Sequence, residues 1–375
     1  MKCTALTVVV LVASLLPACA GSKEARTTTT VTAPSTVPKR DLRVVRIAEV
    51  DPGAGRVASV ITWDHFVAWV GASTVSSGIE GEPNQVLVHD LETKTTRVVA
   101  RTGFPKGTIN RVRAHRDTLV YVDQQRVTTD SEPGTSWHMY AFSLTTGELR
   151  RLASSRSPAD ENDPARPSIA WPWVAWLQST GDEEGHVAVR RIHLETGQEK
   201  VLVPSTAAGQ FSMDDVTGTV FYDDDNGAGG RDVFRVPADG SMGPTKVTSS
   251  GKADFPIARN GGLVWQQPPG SDSDSLWYRP LPEGTETKFA LSSAGGIPAG
   301  TNSFPGRGFV VWSDGKGLNV AYPMEPPRPA VLVQDRTSLS IGARWWVDGQ
   351  RLVWATVKGY GDDERSLIHL ASVVE

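Results

Sequence analysis

The chain has 375 residues, 38 Lys and Arg against 42 Asp and Glu, and 39% hydrophobic residues, so it is long enough to bury a large core. Its formal charge of −4 lacks the basic excess of nucleic-acid binders, and two cysteines, Cys3 and Cys19, leave no disulfide framework to hold a small scaffold together.

The first residues, Met1-Lys2, precede an apolar run from Ala5 to Leu16. A charged start followed by a short greasy stretch is the layout of a secretory signal peptide, and the run is too short for a helix that must cross about 30 Å of hydrocarbon. Leu16-Pro17-Ala18-Cys19 resembles the bacterial lipobox, in which a small residue precedes the cysteine that receives diacylglycerol. The resemblance implies cleavage after Ala18, a lipid on Cys19, and a mature protein secreted and anchored to the outer face of the cell membrane. Removal of residues 1–18 takes away Lys2 alone and leaves 37 basic against 42 acidic side chains, a formal charge of −5. Cys3 leaves with the signal peptide, so no disulfide is expected in the mature chain.

Residues 19–42 follow as a lipidated cysteine and a linker. Six threonines, Pro34, Pro38 and scattered charges offer almost nothing to bury, and such a segment stays extended and solvated. Stretched, it reaches roughly 70 Å, enough to lift a domain clear of lipid headgroups.

From residue 43 to 375 short alternating apolar runs are broken by Gly, Pro, Asp and Ser, the pattern of an all-β domain. One phrase, apolar-apolar-aromatic, recurs seven times: Val67-Ala68-Trp69, Leu119-Val120-Tyr121, Val174-Ala175-Trp176, Val220-Phe221-Tyr222, Leu263-Val264-Trp265, Val310-Val311-Trp312 and Leu352-Val353-Trp354. Its aromatic residues are 52, 55, 46, 43, 47 and 42 positions apart, the length of a four-stranded propeller blade. Tight turns precede the phrase at Asp64-His65, Arg116-Asp117, Asn260-Gly261 and Gly349-Gln350. Thr146-Gly147, Thr196-Gly197 and Asp239-Gly240 follow a third strand, with fourth strands expected at Leu149 to Leu152 and Lys200 to Val203. These repeats predict a single seven-bladed β-propeller. The last repeat has strands near Ser340 to Trp346, Leu352 to Val357 and Ser366 to Val374 but no fourth, while Val44 to Val50 is a strand without a blade. The N-terminal strand is therefore expected to close blade seven and leave fewer exposed edges.

The blade-four phrase Tyr222-Asp223-Asp224-Asp225-Asn226-Gly227, followed by Asp232-Val233-Phe234-Arg235-Val236, resembles the TolB-type propellers with WD-like repeats, which also form the propellers of prolyl oligopeptidases. The resemblance implies the fold and leaves the activity open. Phe142-Ser143-Leu144-Thr145-Thr146-Gly147 is similar to a quinoprotein turn, but that family's Trp after the Gly is absent here and no quinone cofactor is expected.

Chemistry is sparse along the chain. There is no Gly-x-Ser-x-Gly elbow and no His-Glu-x-x-His, and Asp64-His65 is an adjacent acid–base pair placed in a strand turn. The crowded carboxylates Asp223, Asp225 and Asp232 form a weak calcium candidate, in a spacing that does not fit the helical-hand loop. A solvated hairpin turn is the alternative. Most tryptophans are assigned to the core, while Trp137 and Trp277 follow polar loops and are placed near a rim. The loops joining second to third strands carry 16 acidic and five basic residues, with Asp182, Glu183, Glu184, Asp223, Asp224, Asp225, Asp362 and Asp363 prominent. Such a face raises the encounter rate of a cationic partner. The functional expectation is a non-enzymatic, TolB-like envelope scaffold or sensor that meets another envelope protein bearing a basic surface. The alternative is an extracytoplasmic enzyme or carbohydrate-binding module with a dispersed site on the loop face.

Overall fold

The computed structural model describes residues 42–53, 57–72, 83–128, 133–155, 165–180, 185–267, 275–289, 303–313, 318–323, 331–332, 345–358 and 365–374. Among the described residues every long regular element is a strand, and the strands form seven antiparallel four-stranded sheets.

β1 (Arg43–Val50) stands apart in sequence. Blade one is β2 (Val57–Trp63), β3 (Phe66–Ala72), β4 (Pro83–Asp90) and β5 (Thr95–Arg101). Blade two is β6 (Thr108–His115), β7 (Thr118–Thr128), β8 (Pro133–Ser143) and β9 (Leu149–Ser154). Blade three is β10 (Ser168–Ala170), β11 (Trp173–Ser179), β12 (Val187–His193) and β13 (Glu199–Thr206). Blade four is β14 (Phe211–Met213), β15 (Thr219–Asp225), β16 (Arg231–Pro237) and β17 (Thr245–Lys246). Blade five is β18 (Asp254–Arg259), β19 (Gly262–Gln267), β20 (Ser275–Pro280) and β21 (Thr287–Phe289). Blade six is β22 (Ser303–Pro305), β23 (Val310–Ser313), β24 (Leu318–Ala321) and β25 (Val331–Leu332). Blade seven takes β26 (Trp345–Asp348), β27 (Arg351–Lys358) and β28 (Arg365–Val374) from the C-terminus, with β1 as its fourth strand.

The closure is a ladder from Arg43 opposite Val374 to Val50 opposite Ile368, with a bulge between Arg46 and Ala48. Each first strand lies against the first strands of its two neighbours, and the ring completes where β26 meets β2.

The repeated phrase forms the second strands, and all seven of its aromatic residues, Trp69, Tyr121, Trp176, Tyr222, Trp265, Trp312 and Trp354, are buried. Successive side chains of a strand point to opposite faces, so an apolar-apolar-aromatic run loads both faces, which is what a blade sandwiched between two others requires. The turns expected before the phrase are present, with Asp64, Arg116, Asn260 and Gly349 at φ of 44°, 56°, 55° and 58°. That left-handed backbone lets a two-residue connection match the twist of the strands it joins.

Three expectations change. The first strand of blade seven runs to Asp348, two residues beyond Trp346, because the left-handed turn at Gly349 comes only there. Trp137 is fully buried and not at a rim, because β7 and β8 form a long hairpin and place it well inside the third strand. Asp223, Asp224 and Asp225 belong to β15, not to a loop: the ladder continues through Asp223 opposite Val233, Asp224 opposite Asp232 and Asp225 opposite Arg231.

Candidate functional site

Of the residues singled out in the sequence, Cys19, Asp182, Glu183, Glu184, Asp362 and Asp363 lie outside the described residues. The blade-four carboxylates are described, and their surroundings are those of structural groups. Asp223 is wholly buried. It accepts hydrogen bonds from the backbone N–H of Gly209 (2.8 Å), Gln210 (3.0 Å) and Phe255 (3.2 Å) and pairs with Arg231 at 2.9 Å. Asp232, equally buried, accepts from Thr248 Oγ1 (2.9 Å), the Gly251 N–H (3.1 Å), Lys246 Nζ (3.1 Å) and Asn226 Nδ2 (3.2 Å). Close chain approach supports this lattice: a Cβ on Gly230 would lie 2.3 Å from the Gly251 carbonyl oxygen. Asp224 accepts from the Ala207 N–H, and Asp225, exposed, accepts from the Gly227 N–H in a local turn.

Residues directly opposite in an antiparallel ladder share a face. Asp232, opposite Asp224, therefore lies on one face of blade four, with Asp223 and Asp225 on the other. The calcium candidate does not converge on one point, and among the described residues no group of three His, Cys, Asp or Glu gathers at metal-binding separation.

Arg231 also approaches Asp254 at 3.4 Å, making a carboxyl pair with a guanidinium between blades four and five. Burial, with the neighbouring Asp223 carboxylate, pushes Asp254 up to about 7. Burial would raise Asp223 too, but its hydrogen bonds to Asp254 and the Gln210 N–H, with the Arg231 charge, hold it below the usual carboxylate range. Below about pH 7 the pair holds one proton, on Asp254.

A concave site is built elsewhere, in the channel that the first strands enclose. A cavity of about 70 Å³ is lined by Arg111 and Arg113 of β6, Arg166 before β10, Gln210 before β14, Arg259 of β18 and Trp346 of β26, among others. Arg111 occupies a bulge between Asn110 and Val112 with φ at 52°, which interrupts strict alternation along β6. Both the Arg113 and Arg259 guanidiniums lie over the Trp346 ring, at 4.3 and 4.5 Å from its centre. Phe304 packs against Trp346 at 4.8 Å.

At the turn end of the first strands, side chains bridge the channel. Arg259 of blade five reaches Asp348 of blade seven at 2.9 Å and Asp215 of blade four at 3.6 Å. Asn260 donates to the Pro305 carbonyl and accepts from the Gly349 N–H, while its own N–H donates to Asp215. Four blades are thus tied across one end.

Sequence reading missed this cluster because its members come from separate repeats. The available signal was Arg at positions 111, 113 and 259 of first strands, the strands nearest the axis of any propeller.

No family model and no curated protein matches the chain. Solved structures do. The β-propeller domain of the trilobed protease from Pyrococcus furiosus, described as having an open velcro topology, aligns over 86% of this chain and 94% of that one, with a TM-score of 0.56 and 10% identity. Oligogalacturonate lyase in complex with manganese aligns over 83% and 86%, with a TM-score of 0.50 and 14% identity. TolB from Acinetobacter baumannii aligns over 72% of this chain at 12% identity and a TM-score of 0.43, and the match spans 64% of the TolB chain. The first two likenesses establish the propeller fold. Unlike the open topology of the Pyrococcus domain, this ring is closed by β1.

Proposed function

We propose that the chain is a non-enzymatic cell-envelope lipoprotein, secreted and held on the outer face of the cell membrane by a lipid on Cys19, whose propeller is a scaffold or sensor. The observation that carries this reading is the channel pocket, bridged at one end by Arg259 and Asn260. A pocket crossed at one end suits a ligand that is held, and convergent polar and aromatic groups are what a binding site needs. The partner on the loop face is an envelope protein with a basic surface, met by Asp182, Glu183, Glu184, Asp362 and Asp363. From blade four only Asp224 and Asp225 remain for that role, since Asp223 is occupied internally.

Two measurements in intact cells test the proposal. Cys19→Ser should shift the protein from the membrane to the soluble fraction and abolish labelling by a fatty-acid probe, because two acyl chains supply the anchoring. A photo-crosslinking residue at Gln210, beside the pocket, should give a discrete adduct, whereas one at Leu149, exposed on an outer strand, should not. Retained labelling of Cys19→Ser refutes the anchor, and indistinguishable adducts from 210 and 149 refute the channel as the recognition site.

A further inference from the structure

We propose that the channel pocket binds an oxyanion, a single carboxylate or phosphate group, gripped by Arg113 with Arg111 and Arg166 around it and Trp346 at its side. The inference rests on the reading of the channel as a ligand site and names the chemistry of what enters it.

Charge balance is the first support. The cavity wall contains four arginines and, among the described residues, no Asp or Glu, and since Arg111 and Arg166 have partners of their own, Arg113 is the group on which the inference rests. Arg259 is compensated from behind by Asp348 and Asp215. Arg113 is different: its contacts are a hydrogen bond donated by Nη1 to the Val112 carbonyl (2.9 Å) and the Trp346 ring, and no described carboxylate lies within ion-pair distance. A guanidinium has five N–H donors in a fixed fork that matches the two oxygens of a carboxylate or phosphate. One of the five is used.

The second support is enclosure. Arg113 is partly buried, and a cation partly shielded from water without a counter-ion carries a desolvation cost that is relieved when an anion arrives. Enclosure by protein, with the like charges of Arg111 and Arg259, pushes the Arg113 guanidinium down to about 9, so the site favours any species that brings negative charge. The ring does not need Arg113 to be covered, since Arg259 already lies over it.

Size sets the class. About 70 Å³ is a few times the volume one water requires, enough for a carboxylate or phosphate group. Whatever bears the anion must extend out along the channel.

The full chain in detergent is the material for the test. Inorganic phosphate and sodium acetate are titrated separately at ionic strength held constant with chloride, and thermal unfolding is followed. The expected result is a saturable rise in Tm with at least one of the two, the better ligand distinguishing a phosphate source from a carboxylate source. Arg113→Gln should weaken the apparent affinity at least tenfold, and Arg46→Gln, on the exposed edge strand β1, should leave it unchanged. If Arg113→Gln does not fold, phenylglyoxal modification of wild type decides: the anion should protect Arg113 and Arg166 and not Arg46. No saturation with either anion, equal weakening in Arg46→Gln, or absence of protection overturns the proposal. Anion binding without a crosslink from position 210 would refute the channel-partner reading alone. A crosslink without anion binding would refute only the oxyanion.

Discussion

Asp223 and Asp254 are two carboxyls in one environment with opposite shifts, and stability should report both. Asp254 holds its proton more tightly folded than unfolded, so its contribution is full below the ordinary carboxylate range and is lost as pH rises through about 7. Asp223 runs the other way: its contribution is present above the ordinary range and is lost as pH falls through its lowered value. Asp254→Asn imitates the protonated form. It should leave Tm nearly unchanged at pH 5, raise it at pH 8 and flatten the profile between them. A Tm gain of equal size at pH 5 and pH 8 would rule out the shared proton. Sequence could show that these acids were crowded, but not that they were paired, because Arg231 and Asp254 reach Asp223 from a hairpin and from the next blade.

Strand β1 shows how an element acquires its importance from what it covers. Only Val50 of its eight residues is fully buried, and Val45 and Ile47 are about half exposed. Its own burial is modest. Its removal exposes the edge of β28, a row of unpaired N–H and C=O groups, and takes the outer support from the last blade. Deleting Arg43–Val50 should therefore lower Tm by many degrees and promote self-association, whereas deleting residues 22–38 should leave both unchanged. Coincident melting curves for the two truncations would mean that closure contributes nothing. This element was legible in the sequence because the last repeat lacked one strand and the first began with one too many.

Across the whole molecule two regions of opposite sign are proposed to meet ligands: the acidic segments between second and third strands, named from the sequence, and the arginine-lined channel. Changing Asp182, Glu183 and Glu184 to their amides should leave Tm within a degree or two, since exposed loop charges contribute little, and should slow capture of a basic partner. Wild-type capture should also fall as salt brings the screening length to about 8 Å. Salt-insensitive capture, unaltered in the amide variant, would move the functional surface away from these loops. The earlier expectation grouped Asp223 with them. Its replacement belongs instead with stability, because an amide cannot compensate the Arg231 charge from this buried position.

The propeller followed from sequence alone because blade number, strand order and the closing strand are encoded locally, in a period that repeats seven times and in which each aromatic must be buried between sheets. Leader, lipidation and tether stand as expectations from contiguous residues, resting on a cysteine and a composition that no fold enters. Charge is different. Whether a carboxylate is a solvated loop group or a buried anchor depends on donors that arrive from 14, 19 or 32 residues away, as Gly209, Gly251 and Phe255 do. Whether arginines on separate first strands repel as a cluster depends on a ring that brings blades two, three and five around one axis. Packing period travels along the chain, while electrostatic environment is set across it, and only the closed ring decides the second.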